Sequence, residues 1–266
     1  MKVLKNVCFY DFKNFERQAY IVFDEHILKI GKMKDFDENA YKSTIIIDAE
    51  NHLVMPSLVV GHTHLYATLS RGLSVPFNPN DFKELLQQLW WRIDAQLEEK
   101  SIYASGLVGA IDYVKNGVTT LIDHHASGLM IEGSLEILKK AVVEDVGLRG
   151  AFCFETSDRF DIDACIRENE SFILNHAGNA GVYDEQSQEN HANYQSKQSN
   201  PSDRINPSKQ SNPNHPSNLA KGLFGAHAML TLSEVTLRKI KAEIGDTPLH
   251  IHVAESLQDE KECVRL

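Results

Sequence analysis

The chain has 266 residues, 42% of them hydrophobic, enough to bury a substantial core. Its 37 acidic residues outnumber 27 Lys plus Arg, for a net charge of -10, which disfavours nucleic acid or an anionic membrane as partner and favours a small neutral or cationic molecule. The cysteines Cys8, Cys153, Cys165 and Cys263 are too widely spaced for a zinc knuckle or redox dithiol, and no apolar run approaches the roughly 18 residues of a membrane span, so a cytoplasmic protein with reduced thiols is expected.

In chain order, short strands are predicted at Val3 to Tyr10, Tyr20 to Phe23, Ile27 to Ile30, Thr44 to Asp48 and Leu53 to Met55, separated by polar turns. They predict a small N-terminal β-sandwich part over residues 1–55. From Pro56 the rhythm changes to apolar strands alternating with amphipathic helices, the pattern of parallel β/α units. Strands are expected at Leu58 to His64, Val118 to Asp123, Leu148 to Phe154, Leu223 to Ala228 and Pro248 to Val253. Helices are expected at Asp81 to Leu97, Lys100 to Lys115, Glu132 to Asp145, Ile162 to Asn175 and, capped by Ser233, on to Ile244. Residues 56–266 thus read as α/β, an incomplete TIM-type (β/α)8 barrel of about five strands. Residues 184–218 collapse to Gln, Asn, Ser, Pro and Lys with the repeat SKQSNP, and are expected to be a disordered insertion.

In a strand alternate residues share a face, so His62 and His64 point the same way at the carboxyl end of the first barrel strand, where metal sites of β/α barrels sit. The fifth strand repeats the device with His250 and His252, and Glu255 follows. Alone, the first pair reads as histidines at a polar strand end, and His252 with Glu255 reads as a buried histidine on a backbone carbonyl beside a solvated helix-cap glutamate. Together they predict three imidazoles and a carboxylate converging on one divalent ion. Of His124 and His125, alternation lets one line the pocket, and His125 is favoured. Trp90 and Trp91 read either as an aromatic wall for a planar ligand or as core, and His250 as a supporting residue or core.

The run Leu53-Val54-Met55-Pro56-Ser57-Leu58-Val59-Val60-Gly61-His62-Thr63-His64 resembles the first-strand signature of the amidohydrolase superfamily. Gly225-Ala226-His227-Ala228 and Ile251-His252-Val253-Ala254-Glu255 resemble its branch of guanine, cytosine and S-adenosylhomocysteine deaminases and triazine hydrolases. Asp123-His124-His125-Ala126-Ser127, Leu89-Trp90-Trp91-Arg92 and Glu132-Gly133-Ser134-Leu135 bring it nearest to the SsnA-type aminohydrolases associated with selenium metabolism.

The resemblance implies a mononuclear hydrolase of carbon-nitrogen bonds other than peptides. In it His62, His64 and His252 hold one divalent ion, zinc first with iron or manganese as alternatives. Glu255 shuttles protons and His227 orients a small heterocyclic substrate, whose pocket His125, by alternation, and Trp91, on the aromatic-wall reading, are expected to line. A binuclear centre with a carboxylated lysine does not fit, because the fourth strand ends at His227 with no lysine. Members of the family take a further Asp ligand from an eighth strand and a further His from a sixth. This chain supplies neither, so it is expected to be a C-terminally truncated fragment with impaired activity, capable of homo-oligomerisation; the alternative is a scaffold or binding protein without turnover.

Overall fold

The computed structural model describes residues 1–177 and 219–265, and the low-complexity tract predicted at 184–218 lies outside the described residues. The chain divides into two compact units, Met1–Leu58 and Val59–Leu266.

The first unit is a sheet of β1 (Lys2–Tyr10), β2 (Phe15–Phe23), β3 (Ile27–Lys32), β4 (Ile45–Asp48) and β5 (Leu53–Val54). The order is β3-β2-β1-β4, with β5 also on β1; β1, β2 and β3 are antiparallel while β4 and β5 run parallel to β1. One edge of β1 serves two strands, because β4 pairs with Lys2 to Lys5 and β5 with Cys8 and Phe9. Between those registers Asn6 adopts a left-handed φ of 55° and donates its amide to Asp48 Oδ2 at 2.9 Å, which holds the turn joining the two strands. Alternation on β2 sends Tyr20 and Val22 to one apolar cluster with Val3, and Ala19 and Ile21 to another with Val7; Val3 and Val7 part because the register of β1 shifts between Leu4 and Val7.

In the second unit β6 (Leu58–Thr63), β7 (Val118–His125), β8 (Arg149–Phe154) and β9 (Ala220–Gly222) form one sheet in that order, and β10 (Phe224–Ala226) pairs with β11 (Leu249–Ile251). The β7–β8, β8–β9 and β10–β11 pairs are parallel. The predicted fourth strand is thus one extended segment joined to both neighbours: Leu223 N donates to Phe152 O at 3.0 Å on one side and Phe224 N to Pro248 O at 3.0 Å on the other. Asn169 seals this junction, its Oδ1 accepting from Phe154 N (2.8 Å) and Gly225 N (3.2 Å) while its Nδ2 donates to Phe154 O (2.9 Å). Gly225 is required there, since a Cβ would lie 2.2 Å from Phe154 O.

Helices follow the strands as the periodicity predicts: α1 over residues 82–94, α2 (Glu99–Lys115), α3 over residues 134–145, α4 (Ile162–Asn175) and α5 (Glu234–Glu243); α6 (Leu257–Arg265) is a further helix not expected from the sequence. α1 is shorter than expected, because Asp94 O is taken by Gly128 N at 2.8 Å, and its middle, Leu86–Trp90, is a π-turn, a feature frequent at functional sites. Asp161 caps α4 by accepting from Asp163 N and Ala164 N, and Ser233 caps α5 by accepting from Thr236 N. Leu65, Ile102, Leu121, Leu138, Phe152, Phe154 and Phe172 form the main core between sheet and helices. Among the described residues no helix is long and apolar enough to cross a membrane.

Candidate metal centre

Three strand ends build the site. β6 delivers His62 and His64, and its end is tied to β7 because Leu65 N donates to the buried Asp123 Oδ1 at 2.7 Å and His64 Nδ1 donates to His124 O, also at 2.7 Å. β11 delivers His252, whose backbone N donates to His227 O at 2.9 Å while its Nδ1 contacts the same oxygen at 3.2 Å. The ladder stops there because Ala254 turns into a left-handed φ of 58°, and its N–H is held by Asp259 Oδ2 at 2.7 Å. β11 therefore ends at Ile251, short of the predicted Val253, which is exposed.

The three Nε2 atoms form a nearly equilateral triangle: 3.2 Å from His62 to His64, 3.2 Å from His62 to His252 and 3.1 Å from His64 to His252. A tetrahedral ion with metal-nitrogen bonds of about 2.0 to 2.1 Å spaces its ligand atoms by roughly 3.3 Å, so the triangle has the size of one face of a zinc tetrahedron. Protons make the same point. A neutral imidazole has one N–H, and both His64 and His252 commit theirs at Nδ1 to backbone carbonyls, leaving two Nε2 lone pairs facing each other. Facing acceptors at that distance repel unless a cation lies between them. Burial lowers the pKa of His64 and of His252 to about 4, and lowers that of His62, which keeps these rings neutral and ready to ligate at physiological pH.

Around this triangle the rings are crowded. His124, fully buried, has its centroid 4.5 Å from that of His252 and 5.6 Å from that of His64. His250 stands behind His62, its Nε2 2.9 Å from His62 Nδ1, the supporting position expected as one of its two readings. His227, buried at the end of β10, lies 5.5 Å from His252 between ring centroids. Its Nδ1 donates to Thr231 Oγ1, whose hydroxyl donates onward to Ala228 O, so Nε2 is left as an acceptor. Burial lowers its pKa to about 3. Glu255 is exposed at residue level, but partial desolvation and then the charge of Asp259 raise its carboxyl above the usual range.

His125 is fully buried, packs on Phe154 and Tyr66, and engages Ser127 Oγ through Nε2 at 3.0 Å; His124 is the residue whose ring meets the triangle. The tryptophans divide the two readings between them, Trp90 packing on the main core and Trp91 lining a cavity of about 630 Å³ together with Tyr66, Leu73 and Ile93. Tyr66 joins this cavity to the histidines, its ring 5.5 Å from that of His64.

Sequence reasoning missed a buried charge network beside His227. Arg159 binds Asp94 (2.6 Å) and Glu155 (3.1 Å), both about 98% to 99% buried as judged by exposures of 1% and 2%, and its guanidinium stacks on the rings of Trp91 and Phe160. Glu155 Oε1 reaches to 3.6 Å from His227 Nδ1. Burial raises the Glu155 carboxyl well above the usual range, an effect that Arg159 opposes. The available signal was Glu155 itself, a charge directly after the apolar strand Ala151 to Phe154, at the strand end where a barrel keeps its chemistry.

With the geometry in place, comparison with known proteins gives the class. A model of the amidohydrolase family matches residues 53–266, and the chain belongs to that family. Among curated relatives, the 5'-deoxyadenosine deaminase of Methanocaldococcus jannaschii is 30% identical over 264 residues, covering 98% of this chain and 50% of the relative. The 5-methylthioadenosine/S-adenosylhomocysteine deaminase of Pyrococcus furiosus is 32% identical over 158 residues, covering 57% of this chain and 35% of that protein. Among solved structures, guanine deaminase from C. acetobutylicum with bound guanine superposes with a TM-score of 0.65 at 16% identity, over 97% of this chain and 54% of that one. An atrazine chlorohydrolase mutant from Arthrobacter aurescens TC1, complexed with zinc and atraton, superposes with a TM-score of 0.59 at 17% identity, over 100% and 55%. The fold is α/β of the TIM-barrel type, and the chain spans about half the length of its first curated relative.

Proposed function

We propose that this chain carries the metal-binding half of a zinc-dependent aminohydrolase that deaminates a small amino-substituted heterocycle. The observation that carries the reading is the triangle of Nε2 atoms with two lone pairs turned inward, contributed by His62, His64 and His252. In this reading β6 to β11 are about the first five staves of a (β/α)8 barrel, with residues 56–266 as its part, and the N-terminal sheet belongs to a small composite β-sandwich. The deaminase relatives named for adenosine derivatives favour a purine-like substrate carrying an exocyclic amine.

His62, His64 and His252 would hold the ion, with His250 and the carbonyls of His124 and His227 fixing their tautomers. A bound divalent ion supplies Lewis acidity that brings the deprotonation of water toward neutral pH. Glu255, its carboxyl already raised, takes up one proton of the attacking water and gives it to the ring nitrogen, then carries the second to the departing amine, which leaves as ammonia. His227 Nε2, free of its own proton, accepts a hydrogen bond from the substrate amino group, and the buried Glu155 holds the opposite nitrogen in its donor state. Trp91 and Tyr66 offer aromatic surface to a planar ring in the cavity they line.

The test is metal content and ammonia release together, over a panel of adenosine derivatives, guanine and triazines. The zinc of the purified chain is expected to be lost in His64→Ala and kept in Glu255→Gln, while turnover falls by about 10² to 10⁴ in Glu255→Gln. Zinc retained undiminished in His64→Ala would overturn the ligand assignment; turnover unaffected by Glu255→Gln would overturn the proton role.

A further inference from the structure

A second cluster of ligating atoms stands behind the triangle, and of its side chains only His250 enters the reading above, through its contact with His62. His124 at the end of β7, Cys153 on β8 and His250 on β11 bring one ligating atom each to within 4.8 Å of one another. Cys153 Sγ is 3.6 Å from His124 Nδ1 and 3.7 Å from His250 Nδ1. With metal-sulfur and metal-nitrogen bonds of about 2.3 and 2.05 Å, an ion spaces sulfur and nitrogen by roughly 3.5 Å in a tetrahedral site and 3.8 Å in a trigonal one. Both observed spacings fall inside that interval. Cys153 and His124 are each 0% exposed, whereas His250 is only half-buried, so an ion has an approach past its ring.

We propose that His124, Cys153 and His250 form a second cation site, selective for a soft monovalent ion of the Cu(I) type. Two physical arguments fix the class. Thiolate with two imidazoles is a soft donor set of low coordination number, which favours Cu(I) over harder dications. One thiolate also neutralises one positive charge, whereas a dication would leave a net charge beside the inaccessible Cys153 and His124. Binding breaks the Cys153 S–H bond, forms a sulfur-metal bond and releases that proton to buffer; ligation through His250 Nδ1 moves its proton to Nε2 and that of His62 from Nδ1 to Nε2, so this site and the triangle are not filled at once, and no oxidation state changes.

Without an ion the same contacts form a hydrogen-bond chain, from His62 Nδ1 to His250 Nε2, from His250 Nδ1 to Cys153 Sγ, and from the thiol to Asp123 O at 3.6 Å. That chain makes the alternative outcome concrete. The test is an anaerobic titration of the full chain with Cu(I) against a chromophoric Cu(I) chelator, in a Cys8→Ser, Cys263→Ser background that removes the cysteines open to solvent. One equivalent of Cu(I) should withstand the chelator, X-ray absorption should report one sulfur and two imidazole nitrogens around it, and retention should survive His64→Ala but vanish in Cys153→Ser. Copper lost to the chelator, a coordination shell without sulfur or with two, or equal retention in Cys153→Ser would overturn the proposal and leave the hydrogen-bond chain. The absorption measurement reads the unaltered site, so misfolding of Cys153→Ser does not obscure the result. Because retention in His64→Ala is scored separately, failure here is distinguishable from failure of the zinc assignment.

Discussion

Arg159 shows how much can depend on one side chain outside the ligand set. Its guanidinium satisfies two nearly inaccessible carboxylates, Asp94 and Glu155, and lies between two aromatic faces, 4.6 Å from the Trp91 centroid and 4.7 Å from that of Phe160. Arg159→Met keeps the length of the side chain but strands both acids, so chemical denaturation should show a loss of about 3 to 5 kcal/mol. A loss below about 1 kcal/mol would mean that the acids are protonated and need no partner. His227 shares this network through Glu155, so its placement depends on residues from α1 and the segment after β8 that carry no ligand pattern of their own.

At the scale of elements, the segment from Ala220 to Ala226 is held on both sides and sealed by a helix. Asn169→Ala removes the acceptor of two buried N–H groups, Phe154 N and Gly225 N, and should cost about 2 to 4 kcal/mol, seen as a lower urea midpoint with an unchanged slope. The packing of α4 against α5 brings a pH dependence. Burial, and then the charge of Glu243, push the Glu170 carboxyl up to about 7. An acid whose folded pKa exceeds its unfolded one binds more protons when folded, so stability falls as pH rises from about 4.5 to 7 and stays lowered above that. Glu170→Gln should therefore stabilise the chain by the order of 1 to 2 kcal/mol at pH 8 and have no such effect at pH 4. Equal unfolding midpoints for the two proteins at pH 8 would count against the desolvation of Glu170.

For the whole molecule, an ion held as proposed by His62, His64 and His252 would link binding to folding, because its ligands come from strands far apart in the chain. Zinc that binds only the folded chain stabilises it by about 2.7 kcal/mol at a free concentration one hundred times the dissociation constant. Thermal unfolding should accordingly shift upward with zinc and downward with chelator, and the shift should disappear in His252→Ala. A zinc-induced shift of the same size in His252→Ala would place the ion elsewhere.

Much was legible before folding was considered. Apolar alternation marked most strands of both units to within a few residues, because burial on one or both faces writes a period of two into the chain, but it missed β9 (Ala220–Gly222) and the first five residues of β2, where polar side chains break the pattern. Caps at Asp161 and Ser233 and the Gly117 stop, with φ 79°, are local chemistry and therefore local in sequence. The pairing of His62 with His64 was readable because both lie on one short strand; their convergence with the fifth-strand histidines was expected from the repeated pattern, and the choice of His252, 188 residues beyond His64, came from the family resemblance.

Only the tertiary structure decided the rest. That His124 and not His125 turns its ring to the triangle depends on how far β7 extends, and alternation alone fixes opposition without fixing which face is inner. Cys153 and His250 gained chemical meaning only by being brought together from 97 residues apart, and Arg159 by finding Asp94 across 65. Sequence by itself therefore determined the elements, the ligand types and the family, since these rest on short-range periodicity and motif. Tautomers, buried charges and the second cluster arise from contacts between distant segments, where desolvation and proton sharing depend on positions in space.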